Sequence, residues 1–183
     1  MVKTVTITKN SLYSLVSSII QKAMTLVYFI IVARAFGPSD QGRYSAALAF
    51  TTLFNVLIDL GVSSVLTRET ARAPQRAHIY VSQMFISRIG ISILVYGIII
   101  ASASLLGYSQ EFIGLVTIAG LASIFDALSN ASWAVFRGLR NLFYESIGGI
   151  LAIAVMIIGG MSTIALHLPI TFLMYSVLAG SLV

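Results

Sequence analysis

The chain holds 183 residues, 58% of them hydrophobic and only 9% charged, with a mean hydropathy of +0.97. Soluble domains run about 45–50% apolar and about 25% charged, so an ordinary soluble domain is excluded, and with no cysteine so is a disulfide framework or a thiolate metal or redox site. The formal charge of +5 would suggest nucleic acid in a soluble chain, but here the basic residues fall mostly at the ends of apolar runs, where they set membrane topology and imply no nucleic-acid partner.

A bilayer core is crossed by roughly 20 apolar residues in a helix. The first run, Leu12–Ala33, follows Lys3 and Lys9 in the manner of a signal peptide, and Ala33-Arg34-Ala35 mimics a cleavage site. It is longer than the roughly 7–15 residues of a signal core, so it reads as a retained first helix. The chain then turns at Gly37-Pro38 and Gly42, re-enters an apolar run over Tyr44–Thr67 that carries Asn55 and Asp59, and leaves through a basic patch of Arg68, Arg72 and Arg76. Further spans are expected at Ile79–Leu106, Phe112–Phe136 and Leu142–Leu166. A sixth run opens at Ile170, after Pro169, and reaches Val183 too short to span. The expected architecture is therefore an all-α polytopic membrane protein, one transmembrane domain over residues 1–183, with five complete helices and a partial sixth. That incomplete span makes the chain read as a piece of a longer protein. Short connections imply antiparallel neighbours.

Orientation follows from the basic residues. With the N-terminus inside, Lys3, Lys9, Arg68, Arg72, Arg76, Arg137 and Arg140 fall on the inner side, against Arg34 and Arg43 outside. Arg34 and Arg43 flank the Gly37-Pro38 turn, a place for interfacial anchoring and loop closure. Small residues at Gly148, Ala152, Val155 and Gly159, and at Gly97 and Ala101, mark expected helix contacts. Asn130-Ala-Ser132 matches a glycosylation sequon but sits within a span.

Charge at bilayer depth costs about 2.5–3.5 kcal/mol per residue on insertion scales, so each instance needs a reason. Lys22, Asp59, Arg88 and Asp126 are the four noted, at similar depth by the helical rise. Polar residues share their helix faces: Ser14, Ser18, Gln21, Thr25 and Tyr28 beside Lys22; Thr52, Asn55 and Ser63 beside Asp59; Asn130, Trp133 and Arg137 beside Asp126. Three polar stripes at one depth predict a shared water-accessible cavity. Two readings stay open. In one, Lys22–Asp59 and Arg88–Asp126 are structural ion pairs. In the other, Lys22, with Arg88, meets an anionic substrate such as a pyrophosphate while Asp59 and Asp126 tune the site or relay protons. The candidate cavity residues are Lys22, Arg88, Asn55, Asp59, Asp126 and Asn130. No catalytic motif occurs, and His78 and His167 fall at opposite faces, so neither an enzyme nor a metal or other cofactor is expected.

The stretch Ala33–Arg72 carries a resemblance. Its small-Arg-small-Phe-Gly-Pro run, then acidic-x-Gly-x-Tyr-Ser, then an Asp-Leu-Gly helix end with Arg-Glu beyond, resembles the start of the polysaccharide flippases. These are the O-antigen and oligosaccharide exporters of the multidrug/oligosaccharidyl-lipid/polysaccharide superfamily. The likeness is best over Ser11–Arg76. It implies two lobes around a cationic cavity in a bacterial or archaeal plasma membrane, and translocation of undecaprenyl-diphosphate-linked oligosaccharide for surface polysaccharide biosynthesis. It also implies that Lys22 is the basic residue often found mid-way along the first helix, and that a C-terminal lobe completes the transporter. The alternatives are a cation-coupled drug exporter of the same superfamily and a non-transporting membrane scaffold or fragment.

Overall fold

Backbone amides in a bilayer have no water to bond, so long apolar runs must satisfy them internally, as helices do. The computed structural model describes residues 2–73, 75, 77–139 and 141–183, with side chains from Leu12 onward except at 77–81 and 83. Among these are six helices and no strand: α1 (Val2–Asp59), α2 (Val62–Arg72), α3 (Ala77–Leu105), α4 (Gln110–Gly138), α5 (Leu142–Ala165) and α6 (Thr171–Ser181). Arg76 and Arg140, and the side chains of Lys3, Lys9 and His78, lie outside the described residues. Four helices are long and apolar enough to cross a membrane (Leu12–Asp59, Met84–Leu105, Gln110–Gly138 and Leu142–Ala165), and α6 is a shorter apolar helix.

The first of these is too long for one crossing and does not run straight. Gly37 sits at φ 77°, ψ 173°, a conformation essentially reserved for glycine, and Pro38 follows with no amide to donate. The side chains of Tyr28 and Tyr44 meet, although an unbroken helix would hold them roughly 24 Å apart. The two arms of α1 therefore fold back on one another, and they correspond to the first two spans read from the sequence.

The second arm brings a correction. The expected helix through Thr67 stops at Asp59, because Leu60 (φ 41°) and Gly61 (φ 78°) take left-handed conformations before α2 begins. The Asp-Leu-Gly sequence supplies the glycine that such an ending favours. α2 then continues alongside α4: Thr67 Oγ1 donates to the Ala134 carbonyl at 3.0 Å, and a methyl on Gly138 would stand 2.7 Å from Cβ of Thr70. At the other end of this track, Arg43 pairs with Glu111 at 2.8 Å and Phe50 stacks near Tyr108 and Phe112.

The core lies where α1, α3, α4 and α6 converge, with Tyr28, Val32, Ala47, Ile99, Val116 and Met174 buried. Glycines admit the close approaches. A methyl at Gly160 would collide with the Tyr28 ring, and one at Gly180 would stand 2.8 Å from the Ala152 carbonyl. Gly148 and Gly159 make contacts of the expected kind, to Trp133 and Ser176. Gly97 does not: a methyl there would meet open space, so the small residues at Gly97 and Ala101 are no close-packing seam at Gly97. Hydroxyls within the helices, such as those of Thr51, Ser123 and Thr163, bond carbonyls one turn back, which settles their polarity locally. Leu53, Val56, Ile86, Ile98 and Ile158 point outward, as lipid-facing side chains must.

Candidate functional site

The break after Asp59 shapes the most polar part of the interior. Arg88, on α3, is only 1% exposed, and its guanidinium donates to the Asp59 carboxylate and to the Ala127 carbonyl of α4. It also donates to Ser63 Oγ at 2.7 Å, while Ser63 donates to Asp59 at 2.6 Å. A buried guanidinium needs a paired carboxylate and further acceptors to offset its desolvation, and here it has both. Asp59, 44% exposed, is the member of the pair that faces the open space. That space is a cavity of about 730 Å³ lined by Asn55, Asp59, Arg88, Asp126, Asn130 and Arg137, among others.

A second hollow adjoins it, and a third adjoins the second. The second, of about 250 Å³, is lined by Ser14, Ser18, Gln21, Asn130, Trp133 and Glu145 with neighbouring small residues. In it Ser17 donates to the Ser146 carbonyl at 3.1 Å and accepts from Gln21 Nε2 at 2.7 Å, which ties α1 to α5. The third is a groove of about 610 Å³ lined by Ser18, Gln21, Lys22, Thr25, Phe29 and Ile153. Asn130 borders the first and second hollows, and Ser18 and Gln21 border the second and third.

The structure therefore brings the expected residues together differently. Asn55, Asp59, Asp126 and Asn130 share one cavity with Arg88, but Lys22 lies in a separate groove. Neither expected ion pair forms: Asp59 takes Arg88, and among the described residues neither Lys22 nor Asp126 has an ion-pair partner. The Arg88 charge is met by Asp59, with Ser63 and the Ala127 carbonyl as further acceptors. Tyr28 leaves the polar stripe for the core, where it is 4% exposed. Sequence reasoning missed Glu145, which approaches Arg137 at 3.5 Å and lines the middle hollow. Its signal was available, since it lies within the apolar run of α5 and was not counted among the intramembrane charges.

Several apolar helices around a polar interior define a multi-pass membrane protein. The chain belongs to the polysaccharide biosynthesis protein family, whose model matches residues 7–183. Its role is accordingly in polysaccharide biosynthesis. No curated protein and no solved structure matches it.

Proposed function

We propose that this chain forms part of a transporter, not an enzyme, that moves lipid-linked oligosaccharide across the cell membrane for surface polysaccharide biosynthesis. The N-terminus lies in the cytoplasm, and the substrate is carried on undecaprenyl diphosphate. Lys22 carries the reading. It is an exposed ammonium within an apolar helix, without an ion pair among the described residues, and it lines a groove whose other polar groups are Ser18, Gln21 and Thr25. An uncompensated cation at that depth is costly unless a ligand meets it, and a diphosphate supplies the matching charge and acceptor oxygens. A second lobe would complete the cavity and rock against this one.

The test replaces Lys22 in the intact protein in its own cells. Lys22→Ala is expected to abolish surface polysaccharide at normal protein level, and Lys22→Arg to retain much of it. Normal polysaccharide with Lys22→Ala at normal protein level removes the site.

A further inference from the structure

The middle hollow has a chemistry unlike its neighbours. Its lining is hydroxyl- and amide-rich (Ser14, Ser18, Gln21, Asn130), with a single carboxylate, Glu145, and no basic side chain. One wall is the indole of Trp133, held in place because its outer edge lies against Gly148 of α5, where even a methyl would collide with it. Gly149 admits the Gln21 amide beside it, since a methyl there would stand 2.6 Å from Gln21 Nε2. The Glu145 Oε2 atom is buried and has no hydrogen-bond partner. Its other oxygen faces Arg137 at 3.5 Å, and the unmet one calls for a donor.

An aromatic face flanked by amides, hydroxyls and a carboxylate acceptor is what a pyranose ring requires. Its C–H face packs on the indole while its hydroxyls, each donor and acceptor, bond the polar rim. The volume of about 250 Å³ corresponds to on the order of eight waters at about 30 Å³ each, which suits one sugar ring rather than a chain. With no basic side chain in the lining, and Arg137 already facing Glu145, the hollow offers an anionic sugar no counter-charge.

Position adds the second half of the argument. Ser18 and Gln21 line both this hollow and the Lys22 groove, and Ser18 precedes Lys22 by one helical turn, roughly 6 Å of rise. A group bonded in the hollow is therefore one linkage away from a group bonded at Lys22. We infer that this hollow, between α1, α4 and α5, is a subsite for the uncharged sugar attached directly to the diphosphate, with Trp133 and Glu145 as its recognition residues. The subsite rests on the Lys22 reading above for its neighbour, but it is tested separately.

Trp133 is the sole tryptophan of the chain, so emission of the unaltered chain in lipid nanodiscs, excited selectively at the indole over its eight tyrosines, reports on a wall of this hollow. The probes are free galactose, glucose, N-acetylglucosamine and N-acetylgalactosamine, with glucuronate and inorganic pyrophosphate alongside. At least one neutral sugar is expected to change the emission saturably, and glucuronate is not. Glu145→Gln or Gln21→Ala should weaken that sugar roughly tenfold, the loss of about one hydrogen bond, while Leu53→Ala on the outward face leaves it unchanged. If no neutral sugar perturbs Trp133, or if glucuronate does so equally, the subsite is overturned whatever Lys22 does. If sugars bind but Lys22→Ala leaves cellular polysaccharide normal, the subsite stands and the diphosphate site falls.

Discussion

At Arg88 one guanidinium fastens α3 to the end of α1, the start of α2 and the middle of α4, through Asp59, Ser63 and the Ala127 carbonyl. A planar fork sends Nη1 to Ala127 and Nη2 to Asp59 and Ser63, whereas an ammonium has a single nitrogen to place among the three acceptors. Arg88→Ala should therefore cost about 3 kcal/mol, the lower end for breaking a buried pair, because Asp59 keeps Ser63 and part of its hydration. Arg88→Lys should recover only a fraction of it. Asp59→Asn keeps an acceptor oxygen beside Ser63 but leaves the buried guanidinium without its counter-charge, so it should cost at least as much as Arg88→Ala, about 3–5 kcal/mol. Thermal unfolding of the detergent-solubilised protein ranks the three, and an Arg88→Ala variant as stable as the parent would remove the role assigned to Arg88. The need for charges at Asp59, Arg88 and Asp126 was legible from apolar context alone. The choice of partner was not, because Asp59 and Asp126 stand at comparable depth on different helices. Only the packing of α3 against both, and the break that swings Ser63 under Asp59, decides between them.

Among the elements, glycines divide into those that turn the chain, those that let helices touch and those that do neither. Gly37 turns it: the space around it is open, so Gly37→Ala should cost about 1–3 kcal/mol from backbone strain alone. Gly160 lets α5 approach Tyr28 of α1, and Gly160→Ala should cost more than Gly97→Ala, whose added methyl meets nothing and which should be near neutral. Combining Gly160→Ala with Tyr28→Phe removes the hydroxyl oxygen that the methyl strikes, so part of the loss should return in a double-mutant cycle. Equal effects at Gly160 and Gly97, read by unfolding, would contradict the packing described. The spans themselves were readable because apolar length is nearly a sufficient signal in a membrane protein. The interruption at Leu60-Gly61 was less so: its glycine was recognised as a helix end, yet the surrounding run stays apolar enough to draw one span through it. The glycine seam at Gly97 failed for the converse reason, since small residues permit close approach without requiring a neighbour there.

For the molecule as a whole, the structure fixes which turns share an end of the bundle, and the basic residues are the ground for which end is cytoplasmic in the proposed orientation. Ser39, just past Pro38, is exposed at the end where Arg43 meets Glu111. Gln75 is exposed beyond α2, at the end that carries Arg68, Arg72 and Arg137. Positive charge tends to be retained on the cytoplasmic side during insertion, so the proposed orientation predicts Gln75 inside and Ser39 outside. The chain has no cysteine, so Ser39→Cys and Gln75→Cys each introduce a single thiol that a membrane-impermeant maleimide can report. Ser39→Cys should label in intact cells, and Gln75→Cys only after permeabilisation. The reverse pattern would overturn the proposed orientation. Labelling of both thiols in intact cells has a different consequence. It would mean that the chain does not cross between them, so that α2, after the Leu60-Gly61 break, fails to complete the span that Asp59, Ser63 and Arg88 hold together.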